Sequence, residues 1–130
     1  MQVTGIYVAL ATFLVIGLAL GVSMRRGQVR VGLGSGGDST LLQRIRAHAN
    51  ALENLPLALL LLLCLELRQT SPLWLHGFGS TLIVARVMHA FGLWHSAGTS
   101  IGRFVGTLLT WSAMLAMSAL LLWRWLMVGG

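Results

Sequence analysis

The sequence predicts an all-α integral membrane protein, a bundle of four helices. Three observations carry that expectation. First, 56% of the 130 residues are hydrophobic and only 9% are charged, with a mean hydropathy of +0.82; a soluble domain carries about 25% charged residues and this chain could not cover a water-facing surface. Second, the apolar sequence falls into four long runs separated by short breaks rich in glycine, serine, proline and arginine. Third, the ionisable residues gather at the ends of those runs or on one helix face.

Residues 3–23 hold no charge, and their 21 positions are enough to cross a ~30 Å hydrocarbon layer at ~1.5 Å per residue. A cleaved signal peptide is disfavoured, because the arginines follow the apolar run rather than precede it. Gly17 and Gly21 form a GxxxG pair suited to close helix contact. Residues 24–39 read as a basic, glycine-rich connection. Glycine at 27, 32, 34, 36 and 37 is expected to break the helix. Thr40 and Gln43 resemble a capping box that starts a helix over 41–68, with Pro56 expected to kink it. Ser71-Pro72 reads as an N-cap followed by a first-turn proline, opening a helix over 72–95. After the short SAGTS connection a fourth helix runs over 101–127, with Gly98, Gly102 and Gly106 spaced for tight packing. Trp123, Arg124 and Trp125 mark a water interface. The whole chain, 1–130, forms one domain.

All nine basic residues are arginine, against three acids. No zinc-finger, RNA-binding or phosphate-loop motif accompanies them, and their place beside apolar spans reads as membrane topology rather than nucleic-acid binding. Arg25, Arg26, Arg30, Arg44, Arg46 and Arg103 fall on one side, Arg68 and Arg124 on the other. The positive-inside rule then puts both termini outside the cytoplasm. Cys64, the single cysteine, can form no internal disulfide. No metal site is expected.

The stretch from Thr40 to Glu66 holds the candidate site. On a helical wheel Gln43, Arg46, Asn50, Glu53 and Asn54 share a stripe about 100° wide, while Arg44 and His48 lie off it. On the third helix Arg86 and His89 are three apart and share a face. Counted from the cytoplasmic ends at 1.5 Å per residue, Asn50 and Arg86 both lie about 14 Å deep, Glu53 a few Å further, and His89 about 9 Å. An unpaired carboxylate at that depth is expensive, so Arg86 is the expected partner of Glu53. That pair serves equally as helix glue or as part of a site. Arg46, Arg103 and His89 then ring a cavity open to the cytoplasm, with a surplus of positive charge suited to an anion.

The run Arg46-Ala47-His48-Ala49-Asn50-Ala51-Leu52-Glu53-Asn54-Leu55-Pro56 resembles the signature of the MAPEG family, the membrane-associated proteins in eicosanoid and glutathione metabolism. Ala85-Arg86-Val87-Met88-His89 resembles that family's third-helix motif, and length and layout match over the whole chain. The likeness is to the small bacterial members, which implies a bacterial inner-membrane protein. It further implies a homotrimer with glutathione sites between subunits, and a lipophilic small molecule as co-substrate arriving among the membrane lipids. Carried over by position, Arg46, Asn50, Glu53, Arg86 and His89 would bind glutathione. Arg103 would be catalytic, stabilising the thiolate of a transferase or peroxidase acting on lipophilic electrophiles. Ala49 stands where some members have arginine, and Leu93 and Thr107 stand near places that hold tyrosine.

Three other readings compete. A trimeric protein of the same fold could bind a lipid or another anion without catalysis. A haem protein could use His48 and His89, although no CxxCH is present. A small multidrug transporter could use Glu53, but arginine and asparagine surround that carboxylate.

Overall fold

A computed structural model describes residues 2–96 and 98–128. Four helices follow one another: α1 (Thr4–Val29), α2 (Ser39–Leu67), α3 (Pro72–His95) and α4 (Ile101–Val128). The inner pair, α2 and α3, touch each other and both outer helices, whereas α1 and α4 do not meet. The connections at 30–38 and 96–100 lie at one end of the bundle. The connection at 68–71 lies at the other.

α1, α2 and α4 are each long and apolar enough to cross a membrane. The departure is α3, whose run is diluted by His76, Arg86 and His89 and by several glycines. Its 24 residues still extend about 36 Å. Arg86 and His89 are enclosed by protein rather than turned to lipid, which is how ionisable groups are tolerated at such depth.

The core has two parts. Away from the 30–38 end it is large: Leu62, Leu65, Leu75, Leu82 and Met117 interlock around Tyr7. Toward the 30–38 end it is built mostly of alanine: Ala11, Ala47, Ala51 and Ala90 with Leu18, Leu55 and Leu93. Polar ties lash the helices together, as expected where lipid supplies no hydrophobic drive between helices. Glu66 accepts from the backbone N–H of Val3 and, at 2.9 Å, of Thr4, so a carboxylate of α2 caps the start of α1. Tyr7 Oη lies 2.9 Å from His76 Nδ1. Arg124 donates to Arg68 O at 2.9 Å and to Thr70 Oγ1 at 3.0 Å, pinning α4 to the 68–71 connection.

Two boundaries differ from the sequence expectation by more than one residue. α1 does not stop at 23 but continues to Val29, through Gly27. It ends on Arg30, which adopts the left-handed conformation at φ 57°. The added turn is held from outside: Arg25 grips Asp38 through Nε at 3.1 Å and Nη2 at 2.7 Å, and Arg26 donates to Gly34 O at 2.9 Å. The cap of α2 is Asp38, not Thr40. Its carboxylate accepts from Leu41 N at 2.6 Å, so α2 opens at Ser39. The Arg25 guanidinium, then the Leu41 N–H, hold the Asp38 carboxyl below the usual carboxylate range.

Candidate functional site

α3 and α4 approach closely because glycine stands wherever they cross. A Cβ on Gly102 would lie 2.9 Å from Met88 O, and one on Gly106 would lie 2.5 Å from Ala85 O. Gly98 precedes α4 and takes no part in that face. The close approach exposes Gly106 O to Arg86, whose Nη2 donates to it at 2.8 Å. Through Nη1 the same guanidinium donates to Asn50 Oδ1 on α2. Arg86 is 2% exposed, so one buried cation joins three helices. Among the described residues its Nε has no hydrogen-bond partner.

This arrangement corrects the expected Glu53–Arg86 pair. Glu53 turns away from α3. It stands 4.0 Å from Arg46, with both side chains 56% exposed. Asn50 and Glu53 are three residues apart, about 60° from each other round the helix, and it is Asn50 that Arg86 reaches, while Glu53, on the rim of the stripe, meets Arg46. Asn54 completes the stripe, donating to Asn50 O at 2.9 Å and accepting from Trp111 Nε1 of α4 at 3.3 Å.

A cleft of about 230 Å³ opens beside Asn50, lined by Gln43, Arg46, Asn50, His89 and Arg103 with Ser39, Leu42 and Leu93. It therefore gathers Arg46, Asn50, His89 and Arg103, four of the six residues expected from sequence. Arg86 lies behind Asn50 rather than in the wall, and Glu53 stands outside it beside Arg46. Gln43, on the predicted stripe but without an assigned role, belongs to the lining. His48 is not in the lining. Arg103 sits in the first turn of α4, where Ser100 Oγ accepts from its backbone N–H at 3.4 Å and its guanidinium donates to Gly98 O. Arg103 and His89 also line a second recess of about 270 Å³ with Thr99, Ser100, Phe104 and Thr107. Among the described residues no group of three histidine, cysteine or acidic side chains is placed to hold a metal ion.

The fold and cleft define a helical membrane protein with a cationic, asparagine-anchored recess near one end of its bundle. A model of the MAPEG family matches residues 4–123, and the chain belongs to that family. It is 35% identical over 122 residues to the inner membrane protein YecN of Escherichia coli K12, covering 94% of this chain and 92% of that protein. The YecN of Escherichia coli O6:H1 gives the same identity and coverage. No solved structure gives a significant match.

Proposed function

We propose that this protein is a glutathione-dependent membrane transferase or peroxidase acting on lipophilic electrophiles, and that it works as a homotrimer in the bacterial inner membrane. The observation that carries the reading is the charge of the cleft. Among the described residues the one ion pair made by Arg46, Arg86 and Arg103 is that of Arg46 with Glu53, leaving two positive charges in and behind the recess. Glutathione has two carboxylates and one ammonium, so its thiolate form carries two negative charges and matches that surplus. Buried Arg86 lacks an acidic partner among the described residues and has an unpartnered Nε, so an anion beside Asn50 would relieve an uncompensated charge. The half-exposed Arg46–Glu53 pair supports the trimer, since ions this far along a spanning helix need covering by protein rather than lipid. The arginines at the 30–38 end favour a cytoplasmic opening with both termini outside.

In this reading Arg46, Asn50 and Glu53 hold the peptide part of glutathione and Arg86 fixes Asn50. His89 borders the sulfur. Arg103, a cation in the first turn of α4, favours the ionised thiol about tenfold or more. The thiol proton leaves to water through the open cleft. The sulfur lone pair then attacks the electrophilic atom, and the leaving group departs with its bonding electrons. The experiment is calorimetry of glutathione binding to detergent-purified protein. Wild type binds, Glu53→Gln binds at least tenfold more weakly, and Arg103→Ala still binds but loses turnover of a lipophilic electrophile. Absence of binding by wild type at millimolar glutathione would remove the proposal.

One observation favours a second reading, that the cleft binds an anion or lipid headgroup without catalysis: Arg103 already donates to Gly98 O. Binding with no turnover of any electrophile would select it.

A further inference from the structure

Apart from the cleft, and sharing no lining residue with it, α1 and α3 leave an open apolar groove of about 360 Å³. Its walls include Phe13, Gly17 and Leu18 of α1 and Ala90, Phe91 and Trp94 of α3. Gly17 makes the room, because a Cβ there would meet nothing within 4 Å. At Gly21 the groove closes, where an added Cβ would lie 2.9 Å from the Trp94 ring. A cation sits over that closed end. The Arg44 guanidinium lies 5.3 Å from the centre of the Trp94 ring, and its Nη1 donates to Gly21 O at 2.8 Å. Its Nε and Nη2 make no hydrogen bond among the described residues. Arg25, the neighbouring cation, is already held by Asp38. Arg44 lies five residues into α2, about 8 Å from its start, and Trp94 is one residue from the end of α3. Both therefore stand at the level where headgroups meet acyl chains.

We infer that this groove is a binding site for an anionic membrane phospholipid, with an acyl chain along Gly17 and Phe91 and the phosphate on the free edge of Arg44. Apolar surface alone would not choose among lipids. The choice comes from an arginine that makes no salt bridge among the described residues and is fixed by Trp94 and the Gly21 carbonyl at headgroup depth. The Asp38 carboxylate, shared with Arg25, lies near enough to feel its charge. Basic pockets between helices recognise anionic headgroups in this manner. The site is independent of the glutathione reading, for it shares no residue with the cleft.

The test uses whole purified protein in detergent, titrated with phosphatidylglycerol or phosphatidylcholine, with retained lipid counted by native mass spectrometry. One arginine near the headgroups is worth about 1 kcal/mol, so phosphatidylglycerol should be retained about fivefold better. Arg44→Gln should bring that ratio near one. Gly17→Leu fills open space, so it should keep the wild-type melting temperature and glutathione binding while losing the phosphatidylglycerol adduct. Equal retention of the two lipids by wild type would overturn the inference. So would a Gly17→Leu protein that keeps its phosphatidylglycerol, or one whose oligomeric mass changes, since a second copy would then be the occupant.

Discussion

Substituting Gly106 by alanine probes the crossing on which the site is built. The added Cβ would lie 2.5 Å from Ala85 O and 2.9 Å from both N and Cβ of His89, all of them fixed to the α3 backbone. Ordinary contact begins at 3.4 Å, so α4 would have to retreat by about 0.9 Å, the difference between 3.4 and 2.5 Å. Overpacking of this kind costs about 1–3 kcal/mol. The retreat also stretches the 2.8 Å bond from Arg86 Nη2 to Gly106 O, and a hydrogen bond to a charged group is worth about 1.5–3 kcal/mol. A combined loss of about 2–4 kcal/mol should lower the melting temperature by on the order of 10 °C in a chain of this size. The assay is thermal unfolding in detergent followed by circular dichroism, beside Gly77→Ala. Gly77 lies in α3, the helix that Gly106 of α4 packs against, but a Cβ there would meet nothing within 4 Å, so its alanine variant should match or exceed wild type. A Gly106→Ala protein melting within a degree of wild type would refute the close-crossing argument. So would a Gly77→Ala protein that falls as far.

Further outcomes follow from single contacts. Asn50→Ala leaves Arg86 Nη1 unpartnered inside the bundle and should cost about 1–3 kcal/mol in denaturant unfolding, whereas Arg86→Met, which removes the buried charge altogether, should cost less yet abolish glutathione binding in calorimetry. Glu66→Gln removes the carboxylate from the start of α1 and should weaken that cap by about 1 kcal/mol, seen as faster amide exchange over the first turn of α1. The Asp38 carboxyl is held below its ordinary value by Arg25 and Leu41 N–H, so its contribution is complete above the unfolded value of about 3.9. That contribution fades as pH falls through the lower, folded value. Proteolysis within 30–38 by an acid-active protease should therefore accelerate on acidification in wild type, while Asp38→Asn should be cleaved quickly at every pH.

Most of the fold was legible because lipid imposes a simple rule: a run of about 20 apolar residues must close its own hydrogen bonds as a helix. The bounds of α3 follow from Ser71-Pro72 and from the break after His95. The end of α1 was misplaced because Gly27 signals a stop locally. The contacts that carry the helix on to Val29, from Arg25 to Asp38 and from Arg26 to Gly34, span 13 and 8 residues. The start of α2 was placed on the Thr40–Gln43 pattern, whereas Asp38, two residues earlier, is the side chain that caps it.

At the site, helical periodicity on α2 named the polar stripe, and depth counting brought Asn50 level with Arg86. What counting could not supply was rotation of α3 about its axis, which sets whether Arg86 meets Asn50 or Glu53. The Trp111 indole N–H reaches Asn54, a contact that no spacing rule supplies between residues 57 apart. Glu66 went unremarked, although an acid near the end of an apolar helix, in a chain with three acids, is itself a signal for a capped neighbour. The glycines of α4 were legible as a packed face, and two of them, Gly102 and Gly106, carry it.

The central claim is that the cationic cleft holds glutathione as its thiolate. The most direct measurement is the ultraviolet thiolate absorbance of glutathione bound to the purified protein, titrated across pH beside Arg103→Ala. Bound thiol should ionise at lower pH than free glutathione, and Arg103→Ala should return it to the free value while binding persists. A bound thiol that titrates like free glutathione in the wild type would contradict it, as would the lack of any bound tripeptide.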